Sequence, residues 1–196
     1  MNRIALGFII VATLTQGATA KEKSSVAYYP VTGSNAVAVY DSIKKTSPKI
    51  ARNATFAFTM IATKTDKKTT EGEDGCRYTS FATSAAYIFN LPQHVKSASL
   101  PKATLGKWKN FVGYLHRHEE GHRTIWRECL KIYDAEALKL TASNCDKLDV
   151  AREKLFTKTK RGCIAQDEAY DVVFRKEVLK EPFVAEALKQ GGPSRK

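Results

Sequence analysis

Residues His118, Glu119 and His122 form an H-E-x-x-H motif within the stretch HRHEEGHRTIW, residues 116–126. In a helix, residues four apart lie about 6 Å apart along the axis, so both imidazoles can converge on one Zn²⁺. Glu119 lies between them and can serve as general base for a zinc-activated water. The motif therefore predicts a zinc site able to hydrolyse peptide bonds. The alternative is a polar helix that contains the motif by chance, since the pattern is short.

The residues around the motif favour a long helix with an apolar stripe. No proline occurs from about 103 to 140, and His118 and His122 continue the stripe, so both should face the interior. Buried histidines without partners would be costly, and a metal would satisfy them. The apolar members of the stripe are Trp108, Phe111, Leu115, Ile125, Trp126, Cys129, Ile132 and Tyr133.

Three further polar residues are weaker candidates. His116 is two positions from His118, so we expect it on another helix face, at the surface or behind the metal ligands. Glu120 should be solvated. His94 lies in the LPQHV segment, where a surface role is favoured over ligation.

A catalytic zinc normally has three protein ligands, so one must come from outside the motif. A second helix is predicted from about 146 to 180, and an antiparallel hairpin turning at 142–143 would place His118 and His122 opposite Asp167 and Cys163. The acidic cluster QDEAYD, residues 166–171, lies at this level. The candidates are Asp167, Glu168 and Asp171, with a solvated acidic face as the alternative. Tyr170 is a weaker candidate for stabilising a substrate oxyanion.

The N-terminus is typical of a secretory signal peptide over residues 1–20. Arg3 precedes a short apolar run, and Ala18-Thr19-Ala20 is a cleavage site. No later segment has 18 apolar residues, so we expect a soluble periplasmic or secreted protein without a transmembrane segment, an uncleaved anchor being the alternative. Four cysteines in an oxidising compartment indicate two disulfides with three pairings open, or else buried free thiols.

The formal net charge is +12, from 32 basic and 20 acidic residues. The basic residues are scattered rather than clustered, so a nucleic-acid partner is not expected. A peptide or protein substrate is the expected partner, with weak attraction to anionic envelope surfaces.

The remaining pattern predicts an α+β fold in which a small antiparallel sheet packs on a long helical hairpin. Residues 21–182 should form one domain, and 183–196 a frayed tail. Residues 65–75 read as a loop, Gly162 as a break in the second helix, and Ser34 as a helix cap. Strands are expected at 24–33, 54–63 and 76–92, and a short helix at 35–45.

Several segments, taken in their order along the chain, resemble those of a known family. They are YYPVTG (28–33), DSIKKTSP (41–48), GCRYTS (75–80), LPKATLGKWKNFVGYLHRHEEGH (100–122), Cys145 and Tyr170-Asp171. The chain resembles predicted secreted zinc-dependent proteases of bacteria, a domain of unknown function among the zincin-like metallopeptidases. The family usually carries a threonine, then a histidine and a glycine, after the Tyr-Asp pair. This chain has Phe174, Lys176 and Glu177 there.

The resemblance implies a zinc metallopeptidase with Asp171 as the third ligand. It also implies a Cys76–Cys145 disulfide, which leaves Cys129 for Cys163. A straight hairpin would instead place Cys129 opposite about residue 155, so that pair requires a break or a steep crossing. A non-catalytic periplasmic zinc-binding or envelope-associated scaffold is the alternative function.

Overall fold

The computed structural model describes residues 22–48 and 56–191, and its elements confirm the α+β class. The predicted signal peptide and the start of the predicted strand at 54–63 lie outside these ranges. The strands are β1 (Glu22–Val31), β2 (Phe58–Gly72), β3 (Gly75–His94) and β4 (Thr141–Ala142). The helices are α1 (Ala36–Thr46), α2 (Lys102–Ala137), α3 (Cys145–Glu177) and α4 (Pro182–Gly191).

Strand β3 lies at the centre of the sheet. It pairs antiparallel with β2 and, at its first residues, with the short β4, whereas β1 runs parallel to it. The sheet is therefore mixed, and the prediction of a wholly antiparallel sheet was wrong for β1. The chain from β1 crosses over through α1 before β2 and β3 form their hairpin, which is why a parallel pair is available.

The β2–β3 hairpin is longer and tighter than predicted. Residues 65–72 belong to β2, so the loop expected at 65–75 shrinks to the turn between Gly72 and Gly75. Gly75 has φ +94° and lies against the backbone of Ala142, a position that leaves no room for a side chain. The charged residues in the second half of β2 are exposed. A strand that is exposed on both faces lacks the alternation of apolar and polar residues that identifies a half-buried strand.

Helix α2 packs its apolar stripe against one face of the sheet. The core forms where β1, β3, α1, α2 and α4 meet, and a second cluster lies between the hairpin arm and the α2–α3 connection. The largest fully buried side chains of the first cluster are Tyr87, Phe89, Phe111, Phe183, Ile43 and Leu115. Burial of these rings and aliphatic groups fixes the face of α2 that carries His118 and His122.

Helices α2 and α3 form the predicted hairpin; one cysteine pair joins the two helices, and another joins α3 to the sheet. Cys76 in β3 pairs with Cys145 at the start of α3, with Cα atoms 5.0 Å apart. Cys129 in α2 pairs with Cys163 in α3, with Cα atoms 6.0 Å apart. The pair that the family resemblance implied and the pair that it left over are thus both present. Helix α3 runs unbroken through Gly162, so the expected interruption there was wrong.

The C-terminal segment is ordered where a frayed tail was expected. Residues Pro182–Gly191 form α4, and Phe183, Val184 and Ala187 are buried against α1 and α2. Pro182 begins this helix, a position where its missing N–H costs nothing. Residues 192–196 lie outside the described part of the chain.

Two further features of the described part of the chain are the residue that caps α1 and the absence of a membrane-spanning helix. Asn35 rather than Ser34 caps α1, because its Oδ1 accepts from the Ala38 N–H at 2.9 Å. Among residues 22–48 and 56–191, no helix has both the length and the apolar content needed to cross a membrane.

Candidate metal centre

His118 and His122 lie one turn apart on the buried face of α2, as the motif predicted. They are 7% and 8% exposed, and their Nε2 atoms face each other at 3.0 Å. Two neutral imidazoles cannot satisfy each other at this distance if both present lone pairs. A cation between the two nitrogens would satisfy both.

Asp171 of α3 completes a compact group of three donors. Its Oδ1 lies 3.0 Å from His118 Nε2 and 3.2 Å from His122 Nε2. The corners of a tetrahedral zinc site with ligands at about 2.0–2.1 Å are about 3.3 Å apart. The three edges are thus close to those of one face of such a tetrahedron. Two neutral nitrogens and one carboxylate also suit zinc chemically, so the donor set fits the ion.

Asp167 sets the proton position on His122. Its Oδ1 lies 2.8 Å from His122 Nδ1, and its Oδ2 accepts from Trp126 Nε1 at 2.9 Å. A carboxylate can only accept here, so Nδ1 carries a proton and Nε2 is left for a metal. This is the histidine–carboxylate arrangement that supports metal ligands.

The electrostatics reflect three acidic groups around two imidazoles. Burial lowers the pKa of His118 despite its contact with Asp171. Burial also acts to lower the pKa of His122, but hydrogen bonds with Asp167 and Asp171 outweigh it and raise that pKa to about 10. Burial opposes ionisation of Asp171, yet its two histidine partners hold its pKa well below the usual range. With a pKa that high, His122 carries a proton on both nitrogens near neutral pH when no metal is bound, so a metal ion would replace the Nε2 proton.

Glu119 is buried against the sheet. It is 1% exposed, and its Oε2 accepts from the Thr59 hydroxyl of β2 at 2.6 Å. Burial raises the pKa of Glu119 to about 7, although the Thr59 bond acts to lower it. A carboxyl group with a pKa near neutrality can both take up and release a proton.

Aromatic rings of α3 cover the other side of the histidines. The Phe174 ring stacks on His118 with centroids 3.7 Å apart, and Tyr170 stacks on the same imidazole at 4.7 Å. Gly121 allows this approach, because a Cβ there would overlap the Tyr170 ring. Asp171 keeps 35% of its side chain exposed, so the centre opens to solvent on its side.

The structure separates the three predicted third-ligand candidates. Asp171 joins the two histidines, Asp167 lies behind His122, and the exposed Glu168 forms no part of the cluster found in the described residues. Ligation by His118, His122 and Asp171 stays a prediction. The expected hairpin register was wrong by one turn, since His118 faces Asp171 and His122 faces Asp167.

His94, His116 and Glu120 contact groups outside the donor cluster. His94 is buried rather than at the surface: its Nε2 lies 2.8 Å from the Gly33 carbonyl, and its Nδ1 accepts from the Lys96 N–H. His116 is half-buried against the Phe89 ring. Glu120 forms an ion pair with Arg123. None of these side chains joins the three-donor cluster found in the described residues.

Sequence reasoning missed the contributions of Thr59, Trp126 and Phe174. Trp126 lies four residues after His122, so its helical spacing could have placed it beside that imidazole. Thr59 is 60 residues from Glu119, and no local pattern links them. Phe174 lies one turn after Asp171, which could have suggested a ring above the donors.

Comparison with known proteins places the chain in a family but assigns no chemistry. The family described as "Bacterial protein of unknown function (DUF922)" matches residues 26–176. The chain belongs to this family. The match runs from within β1 to the last turn of α3 and so includes every residue of the candidate centre. No curated protein and no solved structure matches the chain.

Proposed function

We propose that this DUF922 protein is an exported zinc-dependent metallopeptidase. The observation that carries the proposal is the triangle of His118 Nε2, His122 Nε2 and Asp171 Oδ1, with edges of 3.0 to 3.2 Å. Glu119 is adjacent in sequence to the first of these ligands and is the general base of the proposal. The zincin-like resemblance of the ordered sequence segments points to the same chemistry.

Each residue has a defined task in this proposal. His118, His122 and Asp171 would hold zinc, and Asp167 would orient His122 through Nδ1. Bound zinc would supply Lewis acidity that polarises a substrate carbonyl and lowers the pKa of water. Glu119 would accept a proton from the attacking water and pass it to the leaving amine. Tyr170 lies beside both imidazoles, where its hydroxyl could donate to a developing oxyanion.

One observation favours a second candidate, a non-catalytic zinc-binding scaffold protein of the cell envelope. The Glu119 carboxylate is 1% exposed and bonded to Thr59, whereas a working base must reach a water molecule. In that case the metal would join α2 to α3 and stabilise the fold without turnover.

The deciding experiment is metal analysis combined with a hydrolysis assay. Purified mature protein is analysed for metal, then incubated with a mixed peptide library before and after chelation and zinc restoration. The proposal expects about one zinc per chain and cleavage that chelator removes and zinc restores. Bound zinc without cleavage would favour the scaffold, and absence of zinc binding would contradict both candidates.

Glu119→Gln provides the matching mutational test. The amide keeps the size and the acceptor for Thr59 but cannot take a proton, so we expect zinc content and fold to persist while turnover falls by about 10²-fold or more. Glu120→Gln is the control, because Glu120 pairs with Arg123 outside the donor cluster. Equal turnover by Glu119→Gln and the wild type would contradict the proposed role.

The location and partners form part of the same proposal. The two cysteine pairs are compatible with an oxidising compartment such as the periplasm or the extracellular medium. A peptide or protein is the proposed substrate. The net charge of +12 would add weak attraction to anionic envelope surfaces, which salt should suppress.

A further inference from the structure

We propose that a cavity beside the candidate metal centre is the substrate-specificity pocket, and that it takes a large apolar side chain next to an acidic residue of the peptide. The cavity has a volume of about 340 Å³ and lies between α1, the residue Phe56 and the end of α3. This inference rests on the proposed peptidase function for its link to turnover. Its binding part can be tested separately.

Two walls of the cavity connect it to the candidate centre. Phe174 forms one wall, and its ring stacks on the His118 imidazole at 3.7 Å. Phe56 forms another wall and precedes Thr59, the partner of Glu119, by three residues. A peptide whose bond lies at the donor triangle would therefore have a neighbouring side chain within reach of the cavity.

The lining selects for apolar groups. Tyr40 and Leu179 line the cavity together with Phe56 and Phe174. Tyr40 packs on Phe56 with ring centroids 5.7 Å apart. Ligand pockets in proteins have volumes of roughly 300–1,000 Å³ and mostly apolar linings. The cavity falls at the lower end of that range, which suits one phenylalanine or leucine side chain rather than an extended ligand.

Two cations add a preference for negative charge. Lys44 and Arg175 both line the cavity. Lys44 already pairs with Asp41 at 2.9 Å, whereas Arg175 forms no ion pair with any residue of the described ranges. A guanidinium that has no carboxylate partner among the described residues and lies beside an apolar pocket can bind a carboxylate in a bidentate manner. An acidic residue adjacent to the bulky one would supply it.

The experiment uses four synthetic peptides that differ only at two adjacent positions. The first position carries Phe or Ala and the second Asp or Lys, and all four carry a fluorophore at one end. Turnover is measured with the zinc-loaded wild type. Binding is measured by fluorescence anisotropy with zinc-loaded Glu119→Gln, so that no peptide is cleaved.

The proposal expects the Phe-Asp peptide to bind at least about tenfold tighter than the Ala-Asp peptide. Leu179→Trp should remove this difference by filling the pocket, and Leu179 is 51% exposed, so the fold should tolerate the ring. Leu138→Trp is the control, because Leu138, the C-cap residue of α2, is 45% exposed. Arg175→Gln should remove the preference for Asp over Lys, and Arg161→Gln, nearer the start of α3, should not.

The outcomes separate this inference from the proposed function. Zinc-dependent turnover without a Phe preference, or a preference that Leu179→Trp leaves intact, overturns the pocket and leaves the peptidase standing. Absence of turnover contradicts the peptidase. In that case, tight Phe-Asp binding that Leu179→Trp weakens still supports the pocket, and equal binding of all four peptides overturns it.

Discussion

At the scale of single residues, the candidate centre is defined by which atoms face each other. The Nε2 atoms of His118 and His122 and the Oδ1 atom of Asp171 converge, while Asp167 occupies the other nitrogen of His122. The two aspartates thus have different roles although both contact histidine. Asp171 is a candidate ligand, and Asp167 holds the ring of another candidate ligand, His122.

This difference predicts an order of zinc affinities. Asp171→Ala removes one of three donors, and we expect zinc affinity to fall by well over 10²-fold. Asp167→Ala removes only the support behind His122 and should cost about 10- to 100-fold. Glu168→Ala, at an exposed site on the same helix, is the control. Zinc titration of each metal-free variant measures the order, and unchanged affinity in Asp171→Ala would place the third ligand elsewhere.

Thr59 is the residue that positions Glu119. Thr59→Val keeps the shape but removes the hydroxyl that donates to Oε2, so the carboxylate would lose its fixed orientation. Hydrogen bonds to charged groups contribute about 1.5–3 kcal/mol. For the proposed peptidase, we therefore expect kcat to fall about tenfold or more while KM and zinc affinity stay unchanged. Thr59→Ser should restore kcat, because it restores the donor. Loss of zinc affinity in Thr59→Val would indicate a structural role instead.

At the scale of elements, the sequence was most informative about α2. Its apolar stripe predicted the helix and the buried direction of His118 and His122. The predicted register of α3 against α2 was wrong by one turn, because residues 138–144 are not a simple turn. They include Thr141 and Ala142, which pair with β3 as the short strand β4. That pairing depends on contacts about 65 residues away in sequence, which no local pattern contains.

Helix α4 was missed for a related reason. The segment has only ten residues, so its helical spacing is a weak signal, and Pro182 reads as a terminator when the packing partner is unknown. Phe183 is fully buried and stacks on Phe111 with centroids 5.2 Å apart, on the helix that carries the motif. The segment is therefore a structural part of the domain rather than a tail.

Removing this ring should destabilise the protein strongly. Phe183→Ala leaves a cavity next to Trp108 and Phe111, and phenylalanine-to-alanine changes in cores cost about 3–5 kcal/mol. Leu188→Ala on the same helix is the control, because Leu188 is 45% exposed. Urea denaturation of the oxidised proteins measures both. A loss below about 1 kcal/mol for Phe183→Ala would show that α4 is not part of the core.

At the scale of the whole molecule, covalent and polar links tie α3 to its neighbours at three levels. Cys76–Cys145 fixes the start of α3 to the sheet, Cys129–Cys163 joins the middle of the hairpin, and the donor triangle joins its far end. A metal bound by the donor triangle would add a further link between α2 and α3. It would act on a chain that is already cross-linked elsewhere.

Zinc should therefore raise the stability of the oxidised protein in a measurable way. A ligand that binds only the folded chain at about a thousand times its Kd adds about 4 kcal/mol. The paired cysteines cannot bind zinc in the unfolded state, so this gain should appear almost in full. Denaturation with zinc and with chelator measures it, and Asp171→Ala should abolish the difference. An equal midpoint in both conditions for the wild type would contradict a structural contribution of the metal.

The contact between Gly121 and Tyr170 has a consequence for how this family can diverge. The glycine occupies the last variable position of the motif, and the ring that fills its missing side chain comes from the other helix of the hairpin. A side chain at position 121 and the ring at position 170 would therefore occupy the same space. A lineage that replaces the glycine with a larger residue must shrink or move the aromatic one, so substitutions at the two positions should occur together. Such covariation would be a signature of this helix pair even where overall sequence identity is lost.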